Sequence, residues 1–306
     1  MPFFEGLSSE SETELIACLQ RLLSCTTLEE LQYPGNTVSS LTFGLEQALA
    51  QYQRPDSLIF PSSFTEGMRQ IRINGLIWMG NREEMRQRII EKLAAGFHCI
   101  KVKIGAIDWQ SELSLLNLLR CEGGEGLTIR VDANGGFDES NCMSRLEDLA
   151  ALGVHSIEQP VRAGQTRLMA EICRESPVPV ALDEELIGIL PGERRAELLS
   201  AIKPQYIILK PALCYGFSGA LDWIARAGQL GIGYWITSAL ESSVGLTAIA
   251  EFTGTLGLEG PQGLGTGSLY TNNFASPLSL DGECLTYSGP ADIYYNDLKK
   301  LPWIER

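Results

Sequence analysis

Residues 98–136 read HCIKVKIGAIDWQSELSLLNLLRCEGGEGLTIRVDANGG, and the order of residue types along them decides the fold. The β-rich run HCIKVKIG gives way at Asp108 to DWQSELSLLNLLRC, whose leucines recur at helical spacing. Gly123, Gly124 and Gly126 stop that helix, and LTIRVD opens a second short strand. A strand, a helix and another strand in so few residues predict one βα unit. Strands joined in this way lie parallel through a right-handed crossover.

The unit repeats outward in both directions. Upstream, IRINGLIW (71–78) predicts a strand, and NREEMRQRIIEKLAAG (81–96) an amphipathic helix closed by Gly96. Downstream, ESNCMSRLEDLAALG (139–153) is a helix. VHSIEQP (154–160), VPVALDEEL (178–186), YIILKPAL (206–213) and IGYWITSAL (232–240) are strands, each trailed by a helical stretch, and PQGLGTG (261–267) predicts a short eighth strand. Eight such units favour a (β/α)8 TIM-like barrel over a doubly wound sheet. The doubly wound alternative needs a glycine-rich fingerprint after its first strand, where this chain has Met79-Gly80-Asn81.

Before the barrel, residues 8–25 and 37–53 carry helical patterns separated by Pro34-Gly35-Asn36, and Pro55 to Pro61 marks a boundary. After it, the segment from 277 reads as strand and turn returning toward the N-terminal helices. The expected organisation is a partial, helical cap over 1–68, a barrel carrying the active site over 69–268, and a C-terminal return to the cap over 269–306.

Among the 306 residues, 44% are hydrophobic, enough for a large core, and the formal net charge is −14. A nucleic-acid binder needs a basic surface to release counterions, so that class is disfavoured. No run of about 18 apolar residues is present to span a bilayer, and MPFFEGLSSESETEL lacks the zones of a signal peptide. The eight cysteines include no CxxC pair and read as reduced thiols, which points to the cytoplasm. The expected partner is a small anionic substrate, with neither nucleic acid nor membrane.

The chemistry is written where charge meets the strands. A buried parallel strand normally reads as a continuous apolar run, yet five successive strands each end in an ionisable group: Lys103, Asp132, Glu158, Asp183 and Lys210. Their spacing is one βα unit each time, so all five project from one rim, the C-terminal face where barrel enzymes keep their catalytic residues. Three adjacent carboxylates repel unless something positive lies between them. Three hard oxygen donors without His or Cys suit Mg²⁺, with Mn²⁺ as a substitute, rather than Zn²⁺. Lys101 shares a strand face with Lys103, and a like charge that close lowers a lysine's pKa toward the range of a general base. The plainer alternative is a surface ion-pair network, but five charged strand ends in register outweigh it. His155 sits on the buried stem of its strand and reads as a core histidine, and His98 opens its strand at the far rim. Glu184 and Glu185 are not expected to add ligands to Asp183, and Asn134 reads as a hydrogen bonder behind the ligands. The amides of Gly263–Gly267, with those near Ser242 and Ser243, are candidates to hold a substrate carboxylate.

KVKIG, RVDANGG, SIEQP, ALDEEL and IILKPAL resemble the barrel motifs of the enolase superfamily, in its muconate-lactonizing-enzyme-like subgroup. The resemblance implies a divalent-metal barrel with an α+β cap built from both ends of the chain. It implies that Asp132, Glu158 and Asp183 hold the metal, while Lys103 and Lys210 are acid/base lysines on opposite faces of the substrate. The seventh strand and its loop contain no His, unlike the mandelate-racemase type, and GLGTGSLY lacks the D-x-D expected of dipeptide epimerases. SALESSVGLT, PFFEGLS, Arg130 and the run Gly263, Leu264, Thr266 are similar to the o-succinylbenzoate synthases. The cap strands and mobile loop that precede PFFEGLS in that family have no counterpart here, so the chain reads as lacking its N-terminal cap strands, with a site that stays open.

The implied activity is Mg-dependent β-elimination of water from 2-succinyl-6-hydroxy-2,4-cyclohexadiene-1-carboxylate, giving o-succinylbenzoate on the menaquinone route. Lys101, Arg130, Asn134, Thr237, Ser238, Ser242 and Gly265 are the candidate substrate-binding or supporting residues. The alternatives are N-acylamino-acid racemisation or dipeptide epimerisation by the same five residues. A non-catalytic scaffold barrel would predict lost ligands, and all are present.

Overall fold

Ser11 and Glu14 start the first helix by exchanging hydrogen bonds: the Ser11 side chain accepts from the Glu14 amide, and the Glu14 carboxylate accepts from Ser11. Helix α1 (Glu12–Ser24) and helix α2 (Ser39–Gln53), with Val38 just ahead of the second, bury Leu15, Cys18, Val38 and Leu41 in one cluster. The computed structural model describes residues 7–27, 30–31, 38–53, 58–290, 293–294, 297 and 299–301. Most of PFFEGLS, the Pro34-Gly35-Asn36 break and Pro55 lie outside the described residues.

The chain divides into two compact units, one formed by 1–73, 210–217 and 236–306, the other by 74–209 and 218–235. The first holds α1, α2 and an antiparallel sheet of three short strands, ordered β1 (Ile71–Arg72), β10 (Cys284–Tyr287) and β9 (Leu278–Asp281). The expected single strand over 71–78 is therefore two. Ile71 pairs with Leu285, Ile73 donates its amide to Glu283, and the chain then changes sheet at Asn74.

The second unit is built on a parallel sheet in sequential order: β2 (Gly75–Ile77), β3 (Cys99–Lys103), β4 (Thr128–Asp132), β5 (Ser156–Glu158), β6 (Val180–Leu182), β7 (Tyr206–Leu209) and β8 (Gly233–Ile236). The crossovers are α3 (Arg82–Ala94), α4 (Trp109–Gly123), α5 (Glu139–Ala151), α6 (Thr166–Glu175), α7 (Glu193–Ile202) and α8 (Gly216–Gln229). Each closes its βα unit by burying an apolar stripe, such as Met85 and Ile89 on α3 or Leu115, Leu116 and Leu119 on α4. A fully buried aliphatic side chain of this kind contributes about 1.5–3 kcal/mol. On the sheet's other face Ala181, Ile208 and Trp235 form a core cluster with Tyr206 packed against it.

The eighth strand is shorter than expected. Gln262 bridges Ile73 and Gly263 bridges Thr237, both in parallel sense, and the chain then turns into a short 3-10 segment over Gly265–Leu269. Pro261 has no amide to extend the pairing, and the glycines that follow favour a turn over a ladder. Helix α9 (Ser243–Thr255) lies in the first unit, with its acid Glu251 accepting from the Phe60 amide and the Tyr287 hydroxyl. Among the described residues, no helix is long and apolar enough to cross a membrane.

Candidate metal and acid–base site

Strand register brings the acids together. Lys103 pairs with Asp132, Asp132 with Glu158, and Glu158 with Ala181, two residues before Asp183. All three acids are buried, and one carboxylate oxygen from each lies within 4.8 Å of the others. Such a cluster needs positive charge. Lys101, one pleat back on β3, supplies part of it from Nζ, 2.8 Å from Asp132 Oδ2 and 2.5 Å from Glu158 Oε2. Burial alone would lower the Lys101 pKa, but Asp132, Glu158 and Asp183 outweigh it and hold the ammonium well above its usual range. The expected downward tuning of a lysine by its like-charged neighbour is not what this cluster does to Lys101, because its nearest charges are acids.

Glu158 moves upward. Burial is the largest cause, Asp132 and Asp183 add to it, and Lys101 only partly offsets them. Its Oε1 is buried without a hydrogen-bond partner. A buried, unsatisfied carboxylate oxygen within a ring of hard oxygen donors fits a divalent cation.

Lys103 lies on the same face of β3, its side chain 12% exposed, with Nζ 3.1 Å from Asp132 Oδ2 and 2.6 Å from Asn134 Oδ1. Asn134 adopts φ +42°, donates its backbone amide to Asp132 Oδ1 and its side-chain amide to Glu184 Oε1. It therefore links a candidate ligand, a candidate base and the turn after β6. Arg130 is buried against the Trp235 ring, its guanidinium carbon 4.0 Å from the centroid. His155 behaves as a core residue: Nδ1 is 3.0 Å from Ser156 Oγ, its ring lies against Tyr206, and burial followed by Arg130 pushes its pKa down. His98 is exposed.

The remaining candidates belong to the first unit. Lys210 directly follows β7. Thr237 donates its hydroxyl to the Gly263 carbonyl, and the hydroxyls of Ser238 and Thr266 are hydrogen bonded to each other. Ser242 is exposed at the start of α9, and Gly265 opens the 3-10 segment. One expectation is corrected here. The Ser243 amide, considered for a substrate carboxylate, donates instead to Asn273 Oδ1 at 2.7 Å, so a side chain from 30 residues away takes that role.

Three residues escaped the sequence reading. Gln159, with φ +39°, accepts the amides of Asp183 and Glu185 on its side-chain oxygen and donates to the Val161 carbonyl, tying the end of β5 to the turn that carries Asp183. Glu112, on α4, gathers the amides of Gly105, Ala106 and Ile107 at one oxygen, fixing the loop that follows Lys103. Glu241 is buried, accepts from Ala239 and Leu240, and is raised by burial while Lys210 pulls it down. An acid inside the SALESS run was its only signal in the sequence.

Residues 84–282 match the family described as enolase C-terminal domain-like. The chain belongs to that family. An o-succinylbenzoate synthase of Desulfotalea psychrophila is 51% identical over 251 residues, covering 81% of this chain and 68% of that protein. The crystal structure of MenC from Desulfotalea psychrophila superposes with a TM-score of 0.78 at 40% identity, covering 93% of this chain and 88% of that one. The L-Ala-D/L-Glu epimerase of Bacillus subtilis is 27% identical over 56% of this chain and 46% of its own length. Its substrate-liganded structure has a TM-score of 0.81 at 19% identity, covering 94% of this chain and 84% of that one, a likeness of fold. The seven-stranded parallel sheet with its helices has the α/β architecture of the enolase superfamily's TIM-barrel fold, and the eighth strand expected from the sequence is reduced to two isolated bridges among the described residues.

Proposed function

We infer that this chain is an o-succinylbenzoate synthase, a hydro-lyase that dehydrates a hydroxycyclohexadiene carboxylate to an aromatic acid. The observation that carries this is the 51% identity with a protein of that name over most of the chain. The buried Asp132–Glu158–Asp183 cluster with a lysine at its edge supports it. We assign the three carboxylates to Mg²⁺, which when bound supplies charge to offset the negative charge developing on a substrate carboxylate.

Lys103, as the free amine, takes the proton beside that carboxylate and becomes the ammonium. The C–O bond to the hydroxyl then breaks, the ammonium gives its proton to the departing oxygen, and water leaves with Lys103 restored. Proton out and proton back pass through one Nζ because both leaving groups lie on one face of the ring. Lys210, protonated on the other face, supplies positive charge to the delocalised anion. Asn134 holds the Lys103 amine from the side. Substrate binding to Thr237, Ser238, Ser242 and Gly265 and a cytoplasmic location belong to the same proposal.

The test is a side-by-side assay of the purified protein with Mg²⁺ for dehydration and for racemisation of an N-succinylamino acid, each with and without chelator. Metal-dependent appearance of the aromatic product at a rate well above racemisation is expected. Racemisation alone would replace the assignment.

A further inference from the structure

At the end of β2 the chain places a large aromatic residue beside the candidate base. Trp78 follows Ile77 directly, is 36% exposed, and presents its ring face to Lys103 Nζ at 5.1 Å from the centroid. What holds it is its loop rather than burial. Arg88 of α3 donates to the carbonyls of both Trp78 and Met79, at 2.8 and 3.0 Å, and Asn81 and Glu84 lock the start of that helix reciprocally. Gly80 permits the arrangement, because a Cβ there would meet Glu84 Oε2 at 2.5 Å and Arg88 Nη1 at 2.8 Å.

The Lys103 amine thus has three neighbours of two kinds. Asp132 and Asn134 accept hydrogen bonds from it, and whenever it carries the proton as the ammonium Trp78 attracts it through the ring face without taking a hydrogen bond. Those polar partners alone would draw Nζ toward the carboxylates. A lysine has four rotatable bonds, and proton transfer tolerates a misplacement of only about 0.5 Å. We propose that Trp78 is a positioning residue for the reaction, holding Lys103 Nζ at the rim by ring-face contact. This rests on Lys103 as the proton-transferring group.

The test compares Trp78→Leu with Trp78→Phe in the metal-loaded enzyme, on both the cyclohexadiene carboxylate and an N-succinylamino acid. Trp78→Leu is expected to lose about tenfold in kcat with KM within about twofold, at an unchanged melting temperature. Trp78→Phe, which keeps a ring face, recovers most of kcat. An independent readout needs no turnover: amine-directed labelling with peptide mass spectrometry in the metal-free protein. There Lys103 is labelled several-fold faster in Trp78→Leu than in wild type, while the exposed Lys300 is unchanged. A full kcat in Trp78→Leu, a loss confined to KM, a Phe variant no better than Leu, or an unaltered Lys103 labelling rate each overturn the proposal. If wild type racemises but does not dehydrate, the proposed function fails, and Trp78 is judged on racemisation and labelling.

Discussion

Replacing Lys101 by Met removes the ammonium that stands among Asp132, Glu158 and Asp183 while keeping most of the side chain's bulk. Its two contacts, at 2.8 and 2.5 Å, are each worth roughly 6 kcal/mol of gross attraction at an effective dielectric constant of about 20. Much of that is cancelled by taking a 13% exposed lysine out of water. Breaking such a buried arrangement by removing one partner typically costs about 3–5 kcal/mol, because the acids left behind are uncompensated. For a chain of this size that corresponds to a fall in melting temperature of roughly 5–8 °C in chelator. A divalent cation at the carboxylates supplies the missing charge, so millimolar Mg²⁺ is expected to shrink the deficit. Differential scanning calorimetry of wild type and Lys101→Met, with chelator and with Mg²⁺, reads both effects. Equal melting in chelator, or a deficit indifferent to Mg²⁺, would show that Lys101 does not neutralise the acid cluster.

Lys103→Ala and Lys210→Ala are each expected to lower kcat by at least about 10²–10⁴ with unchanged circular dichroism; near-normal turnover in either removes that lysine from the mechanism. Glu112→Ala strips one acceptor from three amides and should lower the urea midpoint and speed proteolysis in the loop 104–108, which intact loop resistance would contradict. His155, depressed below 6.5 by burial and by Arg130, contributes stability that is present above its unfolded pKa and lost as pH falls through the folded one. Wild type should therefore lose more stability than His155→Gln between pH 7 and 5 in parallel urea melts, and parallel slopes would refute this. Gly135→Ala, at φ +72° with a Cβ 2.9 Å from the Arg162 Cα, should destabilise the fold and disturb Asn134 beside it, visible as a joint loss of melting temperature and kcat.

What could be read from the residues was whatever burial makes improbable. An aspartate at the end of TIRVD is costly in a parallel strand, so its presence there signals a site, and the interval to Glu158 carries the register. The same logic is silent on side chains whose composition is ordinary. Glu112 looks like any charge on an amphipathic helix, and only the positions of the amides at 105–107 reveal its task. Gln159 hides in SIEQP because its work follows from a left-handed backbone that the sequence does not announce. Asn273 reaches Ser243 across 30 residues, a distance over which local pattern carries no information. The break at Asn74 is likewise tertiary: IRINGLIW has the propensity of one strand, and competition between two sheets divides it.

Asp132, Glu158 and Asp183 each sit at the end of a different βα unit, joined only by whole helices. Until β4, β5 and β6 have aligned, the three carboxylates are separated by long, flexible stretches whose closure costs entropy. A cation in the medium therefore finds no preformed site on the unfolded chain and has little hold on an early folding nucleus. Its binding energy accrues to the assembled state. Mg²⁺ should accordingly leave the refolding rate nearly unchanged while slowing unfolding, so that the protein resists heat and proteases longer than its equilibrium stability in chelator would suggest.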